Sequence, residues 1–322
     1  MTWSNLHAKV HITLRKRQLL PKKERLLVAV SGGQDSLCLL KLLVDLQSKW
    51  EWELAIAHCD HGWPTDAGMS DHVQQIAQSW GIPYYLKTAH HLKETEAAAR
   101  KWRYQALIEI ATEQGFSLVV TAHTKTDRAE TFLYNLIRGA GTDGLSSLTW
   151  VRSLSENIWL VRPLLEISRS ETYQFCQQFN LSIWEDILNQ NLKYARNRIR
   201  HELLPYLQTH FNPQVEKALI QSAEILRSEG EYLEETAQQW LEKSLSEDKI
   251  AIHRQILRGI PLALQRRVMR RFLTTVLSKA PNFEQIEALV NLINAPNRSS
   301  TFSLPGTITI EVQGEWIRVS HL

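Results

Sequence analysis

The chain has 322 residues, 43% hydrophobic and 22% charged, with a formal net charge of +3. These are globular proportions, with room for two domains or three, and they exclude a disordered or low-complexity chain. Three scattered cysteines, Cys38, Cys59 and Cys176, exclude a disulfide scaffold or a Cys-x-x-Cys centre, and with neither a signal-peptide core nor an apolar run of roughly 18 residues the reading is a cytoplasmic protein with no membrane partner. Leu6, Val10 and Leu14 repeat at helical spacing. They make an amphipathic helix of a basic stretch containing Lys9, Arg15, Lys16, Arg17, Lys22 and Lys23. That stretch is either a phosphate-contacting surface or a solvated helix face. Residues 26–30 are a continuous apolar run, the pattern of a buried parallel strand, and 37–46 form a helix. Strands at 52–58, 83–86, 118–121 and 159–161 then alternate with helices at 70–80, 95–114, 127–138 and 168–179. This alternation predicts an α/β fold with a doubly wound parallel sheet, its site beyond the C-terminal strand ends. After residue 180 the pattern changes to a polar stretch, a helix at 198–207 and a long helix at 214–245. A small α+β unit follows, with a short strand, helices at 261–277 and 283–293, and strands at 307–312 and 316–319 around Leu304-Pro305-Gly306. The division expected is a catalytic domain over 1–210, a helical linker over 211–248 and a small α+β domain over 249–322.

The hexapeptide Ser31-Gly32-Gly33-Gln34-Asp35-Ser36 is the strand-to-helix turn. Paired glycines let backbone approach a ligand closely, and helix-start N–H groups with two hydroxyls suit phosphate. It is not a Walker A loop, because Asp35 stands where a lysine would. An acid beside polyphosphate calls for a bridging cation, hence Mg²⁺ with Asp35 as its ligand. His58-Cys59-Asp60-His61-Gly62 closes the second strand and suits a nucleotide pocket better than zinc. In the string from Thr121 to Thr131, which contains His123, Asp127, Glu130 and Thr131 share one helix face, and Arg138 falls on it three turns later. Two carboxylates there can hold Mg²⁺ or an ammonium group; acids also cap helices. Arg162-Pro163-Leu164-Leu165 with Arg169, then Asp186-x-x-Asn189, follow. Arg196, Arg198 and Arg200, interleaved with Tyr194 and Asn197, fit phosphate contact beside a stacking aromatic.

The loop resembles that of the N-type ATP pyrophosphatases, the PP-loop proteins of adenine nucleotide alpha hydrolase-like fold. The combined strings resemble the tRNA(Ile)-lysidine synthetase family over nearly the whole chain, and the end at Leu322 resembles its short members. Thr126-Asp127 departs from the family's two adjacent acids, and Gly62-Trp63-Pro64 from its Gly-Leu-Arg. The resemblance implies a ligase that joins free L-lysine to C2 of the wobble cytidine of tRNA(Ile) with a CAU anticodon, using ATP and Mg²⁺. It implies ATP binding by Ser31, Gly32, Gly33, Gln34, Asp35, Ser36, His58 and His123, and catalysis by Asp35, Asp127 and Glu130. It places lysine at Asp127 and Glu130, and tRNA at Arg138, Arg196, Arg198 and Arg200, the basic N-terminus and the C-terminal unit. A homodimer is left open. The alternatives are a tRNA base thiolase of the same superfamily, disfavoured by the missing Cys-x-x-Cys, a small-molecule synthetase, and a nucleotide-binding regulator.

Overall fold

The computed structural model describes residues 3–146, 148–184, 191–277, 280–301 and 308–321. Asp186-x-x-Asn189 and the Leu304-Pro305-Gly306 turn lie outside them. The chain forms two compact units, Met1–Glu224 and Ile225–Leu322. The first opens with α1 (Asn5–Arg17), β1 (Arg25–Ala29), α2 (Gln34–Trp50), β2 (Glu53–Asp60), α3 (Met69–Ser79), β3 (Tyr84–Thr88), α4 (Glu96–Gln114) and β4 (Leu118–Val120). It continues through α5 (Lys125–Ile137), α6 (Thr142–Leu145), β5 (Val151–Ser155), β6 (Ile158–Val161) and α7 (Arg169–Gln178). Next come α8 (Ala195–Arg198), a π-helical turn Ile199–Leu203, α9 (Leu204–His210) and α10 (Val215–Ser244), within which the unit boundary falls.

The six strands lie in the order β3-β2-β1-β4-β6-β5, all paired parallel except β5 with β6. The doubly wound sheet is therefore present, with one added antiparallel edge strand. β5 escapes a reading by pattern because its side chains are exposed or half-buried, so no apolar alternation marks it. Along β1, Leu26 and Val28 join the cluster of α1, α2, α3 and α7, while Leu27 joins Leu107, Ile110 and Ala111 of α4. Both faces are covered, which is why the strand reads as a continuous apolar run. The single helix expected at 198–207 is a helix of three parts. Pro205 lacks an N–H for the α ladder, and the turn before it widens to π.

Two cations of the N-terminal basic helix are tied into the unit, while Arg15 and Lys16 stay exposed. Lys9 pairs with Glu171 at 2.8 Å and Arg17 with Glu166 at 2.9 Å. On its inner face His7, fully buried, meets Asp45 of α2 at 3.0 Å, and Lys41 shares the same carboxylate. In the second unit β7 (Ala251–His253), α11 (Arg254–Arg258), α12 (Leu262–Val276), α13 (Phe283–Leu292), β8 (Ile308–Gln313) and β9 (Trp316–His321) form a small α+β body. Its sheet is antiparallel, ordered β7-β9-β8, over a core that includes Val268, Phe272, Ile310 and Ile317. α11, only five residues long, has no counterpart in the sequence reading. Asp45→Ala strands both His7 and Lys41 and is expected to cost about 3 kcal/mol, measured as a lower urea midpoint at unchanged m-value.

Candidate active site

β2 lies on one side of β1 and β4 on the other, so the strand order reverses at β1. Such a switch point leaves a crevice beyond the strand ends. The chain leaves β1 into that crevice through Ser31-Gly32-Gly33. Gly32 sits at φ +83°, where a Cβ would come within 3.3 Å of both Trp184 and Val73, so a side chain there would be both strained and crowded. Gly33 is the N-cap of α2 and provides no side-chain acceptor for its first N–H groups. The Ser36 hydroxyl donates to the Gly33 carbonyl (2.8 Å) and accepts from the Ser31 N–H (3.2 Å), folding the loop on itself. Ser31, Gly33, Asp35 and Ser36 line a cavity of about 410 Å³. Asp35 accepts from the Thr172 hydroxyl and lies 3.6 Å from Arg169. Burial pushes its carboxyl pKa up, and Arg169 offsets this only in part.

The second wall comes from α5. Thr124 caps that helix in a reciprocal box: Asp127 Oδ2 accepts from the Thr124 N–H (2.7 Å) and hydroxyl (2.8 Å), and Thr124 Oγ1 accepts from the Asp127 N–H (3.3 Å). Asp127 is thus both a cap and a cavity residue, since its Oδ1 meets Arg200 Nη2 at 3.3 Å. One turn on, Glu130 is 1% exposed. Arg200 grips it with both arms of its fork, Nε to Oε1 at 2.6 Å and Nη2 to Oε2 at 2.9 Å. It is Arg200, not Glu130, that reaches the cavity wall. The two acids differ. Burial pushes Glu130 up to about 6 against the pull of Arg200. Burial also works against the Asp127 carboxylate, but Arg200 and the Thr124 bonds hold its pKa below the ordinary value. Burial keeps the His123 ring neutral in spite of Asp127 beside it.

Of the residues singled out from sequence, Ser31, Gly33, Asp35, Ser36, His123, Asp127, Arg196 and Arg200 meet around this cavity. Gly32 shapes the loop from behind. Gln34 turns away, donating from Nε2 to the Arg169 carbonyl (2.8 Å) and the Thr172 hydroxyl (3.0 Å). His58 also points elsewhere: Nδ1–H donates to the Val30 carbonyl at 2.7 Å and the ring stacks on Tyr84. Its neighbours Ala57 and Cys59 line the cavity, so strand alternation puts His58 on the far face. His61 takes the place expected for it; Nδ1 pairs with Asp66, and the buried Nε2 has no hydrogen-bond partner among the described residues. Arg138, exposed at the end of α5 and bonded to Tyr134, is about 16 Å along the helix from Asp127 and does not line the cavity. Arg198 is also exposed, holding the carbonyls of Leu192 and Lys193. Arg200, expected at a tRNA phosphate, is instead committed to the acids with its side chain 16% exposed. Among the wall residues that the sequence reading did not mark are Arg103 and Tyr104 of α4. Their signal was Arg100-x-x-Arg103-Tyr104, arginines one turn apart beside an aromatic; Arg100, Arg103 and Arg152 lie 5.4, 5.9 and 4.7 Å from the Tyr104 ring centroid.

No described helix is long and apolar enough to cross a membrane. Residues 5–207 match the PP-loop domain family, and 253–318 match the TilS substrate binding domain. A tRNA(Ile)-lysidine synthase of a Nostoc species is 57% identical over 98% of this chain and 97% of its own length. One from a Synechocystis species is 54% identical over 99% and 98%, and a chloroplastic one from Zygnema circumcarinatum 36% over 92% and 81%. Among solved structures, a U34-tRNA thiolase from Methanococcus maripaludis superposes with a TM-score of 0.57 at 18% identity, covering 69% of this chain and 77% of that one. That likeness is one of fold. With a PP-loop site built as described, both domain matches in order and identity along the full length, the chain belongs to the tRNA(Ile)-lysidine synthase family.

Proposed function

We propose that this chain attaches free L-lysine to C2 of the wobble cytidine of tRNA(Ile) carrying a CAU anticodon, consuming ATP and releasing AMP and pyrophosphate. The observation that carries this reading is that the phosphate loop and Asp127 of α5 line one cavity, with Glu130 one turn further on held by Arg200 at the cavity wall. The C2 oxygen attacks the α-phosphorus, and the bond to pyrophosphate breaks. The loop N–H groups and hydroxyls stabilise the charge on the departing pyrophosphate. The lysine ε-amine then attacks C2, the C2–O bond breaks, and AMP leaves with the oxygen. Asp127 and Glu130 hold the ammonium beforehand. Only the neutral amine attacks, and Glu130, the more basic of the two acids, is the better proton acceptor.

Asp35 suits Mg²⁺. It is a single desolvated carboxylate, short of positive charge, beside a phosphate loop. No group of three His, Cys, Asp or Glu among the described residues could hold a metal, which fits an ion held chiefly by phosphates and water. Such an ion neutralises polyphosphate charge. The thiolase alternative finds little support, because burial pushes the thiols of Cys59 and Cys176 up to about 12 and Cys38 well above its usual value. The base must be unstacked to enter the cavity. Arg196, Arg198 and Arg138, with the second unit, are read as contacts to the tRNA.

Asp35→Ala is expected to abolish tRNA-dependent pyrophosphate release, and normal release would remove Asp35 from the first step. Glu130→Ala should keep that release and lose lysidine formation, followed as labelled lysine entering tRNA. Below pH about 6 Glu130 is protonated while the lysine ammonium stays charged, so the KM for lysine should rise as pH falls through 6. This limb should vanish in Glu130→Gln. Arg138→Ala should weaken tRNA binding and lower the log–log salt slope by about 1.

A further inference from the structure

The acids read as the lysine site already hold a cation. Arg200 spans Glu130 with two hydrogen bonds of 2.6 and 2.9 Å and touches Asp127 at 3.3 Å. Its side chain stands between Glu130, which is 1% exposed, and the cavity. An ammonium cannot reach Glu130 unless this guanidinium withdraws. A guanidinium leaving two carboxylates must find another anion, because a buried, unpaired arginine is costly. The cavity provides for one. Arg200 lines the same space as Ser31, Gly33 and Ser36, the loop that takes polyphosphate, and planar forks bind phosphate as readily as carboxylate. Arg200 also lies in the π-helical turn Ile199–Leu203, where the ladder is already opened and a local shift of backbone disturbs fewer bonds.

We propose that Arg200 is an internal stand-in for the lysine ammonium, occupying the acid pair until nucleotide draws it away, so that ATP and lysine bind with positive coupling. Arg200 is then a positioning residue that keeps the buried carboxylates paired before substrate arrives. The coupling is a consequence of exchange: phosphate competes with the acids for Arg200, and lysine competes with Arg200 for the acids. Linkage makes the effect reciprocal. The inference rests on the reading of Asp127 and Glu130 as the amine site.

The test is calorimetric titration of the full chain with L-lysine, with and without α,β-methylene-ATP and Mg²⁺. In the native protein the nucleotide should tighten lysine binding about tenfold, and lysine should tighten the nucleotide by the same factor. In Arg200→Ala the nucleotide-free affinity for lysine should rise to at least the nucleotide-bound value of the native protein, and the coupling factor should fall to about one. Arg200→Lys, which keeps a charge without the fork, should lie between the two and stands in if the alanine variant does not fold. Absence of coupling in the native protein, or weaker lysine binding in Arg200→Ala, would overturn the proposal. A Glu130→Gln variant separates the two levels. Unchanged lysine affinity there removes the amine site itself, whereas lost affinity together with no response to Arg200 removes only the exchange.

Discussion

A carboxylate as deeply buried as Glu130 has to be matched by a positive charge, and much of the site derives from that requirement. The residue is 1% exposed, and without a partner it would sooner take up a proton than remain an anion. Arg200 meets the need from seventy residues away in sequence, drawing α8 and the π turn against α5. Asp127 is restrained from the other direction by its own helix cap. The pair therefore presents one acid restrained by its own helix cap and one matched by a counter-charge from another segment, an asymmetry that the proposed sequence of holding and then deprotonating an ammonium can use.

The sheet topology explains why this wall stands opposite the phosphate loop. β1 and β4 are neighbours, yet the chain reaches β4 only after passing through β2 and β3 on the other side. β1 runs through a tight turn into α2, and β4 runs into the capped start of α5. Two helix beginnings thus converge on one crevice. One is left without a side-chain cap and suits anions; the other is sealed by Thr124 and Asp127 and lends its carboxylates to a cation.

Much of this was legible in sequence where the determinants are local. A strand, two glycines and a helix fix the loop within a few residues, and the alternation of strand and helix fixes the sheet. The Asp127–Glu130 spacing places both acids on one face without any tertiary information. Three features depended on longer-range facts. His58 and His61 differ in which side of a strand end they occupy, and a shift of one residue in the assumed end exchanges them. Arg103 and Tyr104 belong to a helix whose inward face is decided by how α4 lies on β1 and β4. Arg200 looked like one member of a basic run, because nothing near it in the chain announces a carboxylate partner. The pairings of Lys9 and Arg17 were hidden for the same reason, with Glu166 and Glu171 lying some 150 residues downstream of them.

The π-helical turn at Ile199–Leu203 carries a consequence for register. A π turn accommodates one residue more than an α turn, so it acts as an insertion kept within a continuous helix. Each added residue rotates the downstream stretch by about 100° relative to the upstream one. The stretch before the turn can therefore aim Arg196 at the cavity, while the stretch after it aims Leu204 at Ala129 and Leu133 of α5. One helical stretch thus presents Arg196 to the cavity and packs Ile199 and Leu204 into the core.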